Sequence, residues 1–183
     1  MENGEDPDLL FRHFNVVLQL LKVIPMKPGN TQYMQRAIEL AALNIRELKG
    51  GPFGAVVVRN GEIVSEAYNT VVADNDPSAH AEINAIRKAC EKLGTYQLDD
   101  CEIYCSCEPC PMCLGAIYWA RFEKVYFAAG RFDAAEAGFD DPDIYDEVTR
   151  EPEARSVDMK QILREEARAV MNTWKEVNPD IEY

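Results

Sequence analysis

The chain has 183 residues, of which 47% are apolar, and this is enough for the core of one domain of ordinary size. Its 19 basic and 32 acidic side chains give a net charge of −13 at pH 7. A polyanion is repelled by such a surface, which argues against tRNA or DNA as the substrate. No apolar run reaches the roughly 18 residues of a membrane span, so we expect no membrane association.

The six cysteines are clustered between residues 90 and 113. The start of the chain is acidic and lacks a small-residue cleavage site, so it does not resemble a secretory signal. Clustered cysteines in such a chain favour metal binding in a reducing cytosol over disulfide bonds. We therefore expect a cytoplasmic protein.

Residues 1–30 differ in pattern from the rest of the chain. Their first eight residues carry four acidic side chains, and Pro25 and Pro28 close the segment. Between these ends, apolar side chains recur at helical spacing, at Phe11, Phe14, Val17, Leu18, Leu21 and Ile24. We predict an accessory helix within residues 1–30 and a single domain over residues 31–183.

The domain begins with a predicted helix and a hairpin. Thr31 is a suitable helix cap, and the apolar face that follows ends at Gly50 and Gly51. A valine-rich strand is predicted over residues 53–59 and a second strand over residues 62–68. Asn-Gly at 60–61 predicts a type I′ turn between them.

Strands and helices alternate in the rest of the domain. The pattern predicts a helix opening at Ser78 or Ala79 and reaching residue 93, a strand over 101–106, a helix over 111–121, a strand over 123–129, a loop over 131–141, a charged stretch to 158 and a final helix over 159–177. This order predicts an α/β fold, a three-layer α/β/α sandwich whose mixed sheet begins with a hairpin.

Two short motifs carry the chemistry. The first is His80-Ala81-Glu82, and the second runs from Pro109 to Cys113 as Pro-Cys-Pro-Met-Cys. Together they match the H-x-E and P-C-x-x-C signature of zinc deaminases that act on nucleobases. A catalytic zinc site uses three nitrogen or sulfur ligands and leaves a fourth position for water, so His80, Cys110 and Cys113 are the predicted Zn²⁺ ligands. Glu82 is the predicted carrier of the proton that this water loses.

A structural zinc site is the alternative. Such a site needs a fourth protein ligand, and Cys107, three residues before Cys110, could supply it. The chain would then be a zinc-stabilised binding module without turnover. The catalytic interpretation requires that His80 and Glu82 face the same pocket. Residues i and i+2 of a helix lie about 200° apart, so His80 and Glu82 can share a pocket only at the start of a helix.

The sequence resembles the cytidine deaminase-like superfamily and, within it, the guanine deaminases of the small bacterial type. The resemblance runs over residues 31–183. It rests on the two motifs and on the segments 50–56, Asn69, 75–82, 96–101, 107–121, 134–141 and 182–183. The zinc motifs specify the superfamily, whereas Gly138 to Asp141 and the final Tyr183 are typical of guanine deaminases.

This resemblance implies the hydrolysis of guanine to xanthine and ammonia in purine catabolism or salvage. Zn²⁺ is then held by His80, Cys110 and Cys113. Glu82 takes the proton of the attacking water and passes it to the ring. Asp141 is implied as a second catalytic carboxylate, which delivers a proton to the departing amine.

The resemblance also implies the substrate contacts and the assembly. Asn69 would hydrogen-bond the purine edge, and His80 would stack on the base. The other implied contacts are Phe53, Ala81, Trp119 and Tyr183. The resemblance implies a homodimer in which the C-terminal segment is exchanged between the two chains. The open alternatives are a guanosine deaminase, a deaminase of amino-triazines or pterins, and a tRNA deaminase, against which the acidic charge argues.

Overall fold

The computed structural model describes residues 30–139 and 142–179. The accessory helix predicted within residues 1–30 lies outside the described residues, and so do Asp141 and Tyr183. The chain divides into two compact units, one that ends at Tyr145 and one that begins at Asp146. The first unit contains the sheet and both metal-binding motifs.

Four strands form one mixed sheet. They are β1 (Gly54–Arg59), β2 (Glu62–Tyr68), β3 (Cys101–Cys107) and β4 (Lys124–Ala129), and their order is β2-β1-β3-β4. Strand β1 is antiparallel to both neighbours, whereas β3 and β4 are parallel. Asn60 and Gly61 both have positive φ, 52° and 80°, which is what the predicted type I′ turn requires.

Helices accompany the strands along the chain. They are α1 (Asn30–Glu47), α2 (Val71–Asp74), α3 (Ala81–Leu93), α4 (Pro111–Trp119), α5 (Arg131–Glu136), α6 (Pro142–Thr149) and α7 (Arg164–Val177), with a 3₁₀ turn at Pro152–Ala154. Within residues 30–139 and 142–179, none of these helices is both long and apolar enough to span a bilayer.

The sheet is covered by helices on both faces. Successive side chains of β1 point to opposite sides, so Val56 and Val58 pack with Tyr33, Ala37 and other residues of α1. On the other side, Ala55 and Val57 pack with an alanine row on α3 and with Ile117 of α4; that row is Ala81, Ala85 and Ala89. The predicted three-layer arrangement is confirmed.

Several predicted boundaries are wrong. The second helix begins at Ala81, because the Asp76 carboxylate accepts hydrogen bonds from the backbone N–H and hydroxyl of Ser78 and holds that stretch in a turn. The predicted loop after β4 contains α5, which opens where the Gly130 N–H donates to the Asp133 carboxylate at 2.6 Å. The final helix begins at Arg164, after Leu163 with φ 52°, and not at residue 159.

Candidate active site

His80 stands just before the first turn of α3. It is the N-cap residue, with extended backbone angles of φ −68° and ψ 157°, and its carbonyl accepts the Asn84 N–H at 3.0 Å. Its side chain therefore does not follow the helical rotation that would separate it from Glu82. The condition set by the i, i+2 spacing is met because the motif crosses the helix boundary.

The second motif repeats this arrangement at α4. Cys110 is the N-cap residue, also extended with φ −63° and ψ 166°, and Pro111 fills the first helical position, where no N–H is needed. Cys113 lies buried in the first turn. Both thiols are therefore near the positive end of a helix, which favours the thiolate form.

The three predicted metal ligands converge. The Nδ1 atom of His80 lies 3.6 Å from the Sγ atom of Cys110 and 3.6 Å from that of Cys113. For zinc bonds of about 2.3 Å to sulfur and 2.0–2.1 Å to nitrogen, tetrahedral coordination separates nitrogen from sulfur by about 3.6 Å. The donor set and its spacing therefore fit Zn²⁺ with three protein ligands.

Cys107 is not part of this group. Among the described residues, the ligand atoms of His80, Cys110 and Cys113 lie within 4.8 Å of one another, and Cys107 does not belong to the set. Its Sγ atom contacts the Gly130 carbonyl oxygen at 3.8 Å instead. The arrangement thus favours the open, three-ligand type of zinc site over a closed structural one.

Charges in the site are strongly coupled. Burial raises the pKa of Glu82 to about 7, so this carboxyl group can both accept and release a proton near neutral pH. A hydrogen bond from the Cys113 thiol lowers the pKa of Cys110 to about 4, and the same bond raises that of Cys113. Without a metal, the Cys113 thiol thus donates its proton to the Cys110 thiolate, and a divalent cation is the group that would displace this proton.

Asn69 is held rigidly at the end of β2. It is 4% exposed, and its Oδ1 atom accepts the backbone N–H of Gly51 at 3.3 Å and that of Val71 at 3.1 Å. Both bonds occupy the carbonyl oxygen, so the donor group Nδ2 is the part of the amide left for a ligand. Its neighbour Thr70 is tied to the start of α3 through its N–H, which donates to the Ala79 carbonyl at 2.9 Å.

The other predicted substrate contacts are dispersed over the site elements. Phe53 is half-buried, and its ring meets that of Phe139 edge-on, with centroids 4.9 Å apart. Ala81 is fully buried at the start of α3. Trp119 ends α4 and is 67% exposed in this single chain. The roles of these residues stay predictions, as do those of Asp141 and Tyr183.

The turn that ends α5 places Phe139 against Phe53. Gly138 has φ 88°, its N–H donates to the Ala135 carbonyl, and the Phe139 N–H donates to the Ala134 carbonyl. These paired bonds define a Schellman motif, in which a glycine in the left-handed conformation ends the helix. The residues that follow Phe139 in the sequence are Asp140 and Asp141.

No sequence pattern assigns a role to Phe139, Asn44 or Tyr145, although each contacts a residue in or next to the candidate site. Gly138 after a helix-like stretch is a usable signal for Phe139. Asn44 and Tyr145 act on partners 25 and 36 residues away, Asn69 and Pro109. No local pattern announces such contacts.

The fold and the site together define a zinc-dependent deaminase. Residues 28–129 match the family model described as the cytidine and deoxycytidylate deaminase zinc-binding region. The chain therefore belongs to this deaminase family, and the resemblance to its fold that the sequence indicated is confirmed.

Known relatives refine this position. The chain is 51% identical to the guanine deaminase of Bacillus subtilis over 151 residues, which cover 82% of this chain and 97% of that protein. A crystal structure of guanine deaminase from B. subtilis superposes with a TM-score of 0.81 at 50% identity, over 85% of this chain and 99% of that one.

Two further relatives are more distant. A guanine deaminase structure from Nitrosomonas europaea gives a TM-score of 0.60 at 30% identity, with 78% of this chain and 77% of that chain covered. The tRNA-specific adenosine deaminase of Aquifex aeolicus is 50% identical, but over only 43% of this chain and 52% of that protein. The likeness to guanine deaminases thus extends well beyond the zinc region.

Proposed function

We propose that this chain is a zinc-dependent guanine deaminase, which hydrolyses the C2 amine of guanine and gives xanthine and ammonia. The observation that carries the proposal is the set of three converging metal ligands beside one buried carboxylate, in a chain half identical to a guanine deaminase along nearly that protein's whole length. The close sequence likeness decides among substrates that share the same zinc chemistry.

His80, Cys110 and Cys113 hold the metal. Zinc, when bound, supplies Lewis-acid activation of a water molecule. Glu82 is 7% exposed and has a pKa near the working pH, which suits it to take a proton from that water and return it to the purine ring. Asp141 is the proposed second carboxylate, which protonates the leaving amine, so that neither acid has to move between two sites.

The base is recognised by polar and aromatic groups together. The fixed orientation of Asn69 presents an N–H donor, which matches an acceptor such as the 6-oxo group of guanine and not the 6-amino group of adenine. His80, Phe53, Ala81 and Trp119 are the proposed apolar and stacking contacts. Tyr183 is the proposed closing residue, and a sealed pocket would exclude the ribose of guanosine.

Turnover of guanine tests the proposal directly. Purified zinc-loaded protein is incubated with guanine, guanosine, cytidine, an amino-triazine, a pterin and tRNA in parallel, and released ammonia is measured together with the absorbance of xanthine. Guanine should be the preferred substrate by kcat/KM. Preferential release of ammonia from any other member of this set would overturn the assignment.

We further propose that the protein is a homodimer. In the unit that ends at Tyr145, apolar side chains of α4, β4 and α5 are exposed, at Tyr118 (76%), Trp119 (67%), Phe127 (51%) and Phe132 (66%). An apolar surface of this kind marks an interaction site, and exchange of the C-terminal segment is the arrangement that the family resemblance implies. Light scattering of the native protein should give about twice the chain mass of 20.7 kDa.

Two properties of the chain support its proposed setting. None of the six cysteines, all within the described residues, forms a disulfide bond, which is expected of a zinc-thiolate protein in the reducing cytoplasm. The net charge of −13 disfavours a nucleic acid as partner or substrate. Salt-sensitive binding to tRNA would contradict the second statement.

A further inference from the structure

We propose that Asn44 is a positioning residue, which fixes the two proposed substrate contacts Asn69 and Phe53 in relation to each other. Asn44 lies on α1, outside both zinc motifs, and its side chain is fully buried. The proposal deepens the function proposed above and rests on it for the part that concerns guanine.

Asn44 donates two hydrogen bonds across the loop that follows α1. Its Nδ2 group donates to the carbonyl of Gly51 at 2.7 Å and to the carbonyl of Asn69 at 2.8 Å. Both acceptors are backbone oxygens, so the orientation of the amide is fixed by its partners. One side chain thus sets the distance between residues that lie 18 positions apart in the sequence.

The same backbone atoms continue the network to both substrate contacts. The Gly51 carbonyl also accepts the Phe53 N–H at 2.8 Å, and the Phe53 carbonyl accepts the Asn69 N–H at 3.1 Å. The Gly51 N–H in turn donates to Asn69 Oδ1. Residues 51, 53 and 69 therefore form a closed ring of hydrogen bonds, and the buried Asn44 side chain bonds to two of its members.

The loop is built to allow this close approach. A Cβ atom at Gly50 would collide with Asn69 Oδ1, and one at Gly51 would lie 2.8 Å from the ring of Phe53. Glycine at both positions lets the loop backbone reach the Asn69 side chain. The contact thus depends on the loop and on the residue that anchors it.

The burial of Asn44 has a stability cost that packing alone does not explain. Its Oδ1 atom has no hydrogen-bond partner among the described residues, and an unsatisfied buried acceptor lowers the stability of the fold. A leucine, which branches at the same atom, would carry no such acceptor. What leucine could not do is hold two carbonyl groups together, and this is the property that the site uses.

These contacts determine which end of the Asn69 side-chain amide is available to a ligand. With Oδ1 bonded to the Gly51 and Val71 N–H groups, Nδ2 is the donor of Asn69 that stays available to a bound purine. Without Asn44, the Gly51 loop is released and the Asn69 amide is free to turn, so that its oxygen would face the acceptor edge of guanine. Loss of Asn44 should therefore weaken guanine binding more than the chemical step.

A double-mutant cycle tests the proposal. The variants are Asn44→Leu, Asn69→Ala and both together, and Ser65→Ala is the control, because Ser65 also donates from a buried side chain to a backbone carbonyl, that of Ala85 at 2.7 Å. Zinc content, melting temperature, and kcat and KM for guanine are measured for each variant. A crystal structure of N44L reports the Asn69 amide without reference to any substrate.

We expect N44L to keep its zinc. Its KM for guanine should rise about tenfold, because the hydrogen bond from Asn69 to guanine is lost, whereas kcat should change by less than about threefold. In the N69A background the same change should alter KM by less than about twofold. S65A should leave KM as in the wild type. If N44L does not fold, N44S, which keeps one donor, is measured in the same cycle.

Different results would refute the positioning role of Asn44 and the proposed guanine deaminase function. Independent, multiplicative effects of N44L and N69A on KM would overturn the positioning role, and so would a structure of N44L in which Asn69 Oδ1 keeps its bond to the Gly51 N–H. Failure of the wild type to deaminate guanine would instead refute the proposed function. In that case the crystal structure still decides whether Asn44 positions Asn69.

Discussion

The hydroxyl of Tyr145 donates a 2.7 Å hydrogen bond to the carbonyl of Pro109, the residue before the proposed zinc ligand Cys110. The Arg131 guanidinium lies 4.7 Å from the centroid of the Tyr145 ring, and the Arg131 N–H donates to the Glu108 carboxylate at 3.0 Å. The loop that precedes Cys110 is thus anchored from two sides. Such outer contacts orient metal ligands and affect metal affinity.

Removing the Tyr145 hydroxyl should therefore loosen the zinc site. We expect Tyr145→Phe to fold normally and to lose zinc to a chelator about two- to tenfold faster, which corresponds to one hydrogen bond. Tyr96→Phe, at an exposed position between α3 and β3, is the control, and its rate of zinc release should match that of the wild type. Equal release from Y145F and the wild type would show that the anchor does not act on the metal.

Glu82 is expected to be needed for proton transfer and not for metal binding. Glu82→Gln keeps the size of a buried side chain that is not among the three metal ligands, so zinc content should stay at one ion per chain. Turnover of guanine should fall by at least about 100-fold, the lower end of what general acid–base catalysis contributes. The control is Glu91→Gln, an exposed position on the same helix. Full activity of E82Q would show that another group carries the proton, whereas a wild type that binds zinc and turns over no substrate would point to a structural zinc module.

The cysteines should differ sharply in their effect on zinc. Cys113→Ala removes one of three ligands and should abolish stoichiometric zinc, whereas Cys107→Ala should leave one zinc per chain. Metal analysis after dialysis measures both variants side by side. Loss of zinc in C107A would reveal a fourth ligand and a closed site.

The convergence of the three predicted ligands can be anticipated from the sequence, because they lie in two short segments with fixed local geometry. An N-cap position is specified by nearby residues, such as Pro111 after Cys110, so the placement of His80 and both cysteines follows from local rules. The hairpin is predicted for the same reason, since Asn-Gly determines its own turn.

Features that depend on distant contacts are not predictable in this way. Helix α5 has six residues, and isolated helices of that length are unstable in water. It forms where Asp133 caps the helix and Phe139 packs on Phe53, 86 positions earlier in the chain. The hydrogen bond from Asn44 to the Asn69 carbonyl is equally unpredictable, because an asparagine on a helix gives no local indication of its partner.

Two glycines should respond to alanine in opposite directions. Gly138 has φ 88°, and no atom of the described residues lies within 4 Å of an alanine Cβ there, so the cost is conformational, about 1–2 kcal/mol. Gly115 lies inside α4 with open space around it, and alanine there should stabilise by about 0.5–1 kcal/mol. Melting temperatures should therefore fall for G138A and rise for G115A. A rise for G138A would mean that the Schellman turn is not required.

The ion pair between α1 and β2 should make stability depend on pH. The Arg36 guanidinium donates to both carboxylate oxygens of Glu66, at 2.8 and 2.6 Å, and holds the pKa of Glu66 below its ordinary value of 4.5. A carboxylate with a lowered pKa stabilises the fold above pH 4.5 and loses this contribution as the pH falls through its folded value. Both side chains are about one-third exposed, so solvent screening limits the effect to below about 1 kcal/mol. Urea unfolding should show Glu66→Gln less stable than the wild type at pH 7, with a difference that shrinks as the pH falls below 4.5. The exposed Glu62→Gln should show no such convergence, and a gap for E66Q that widens on acidification would contradict the assignment.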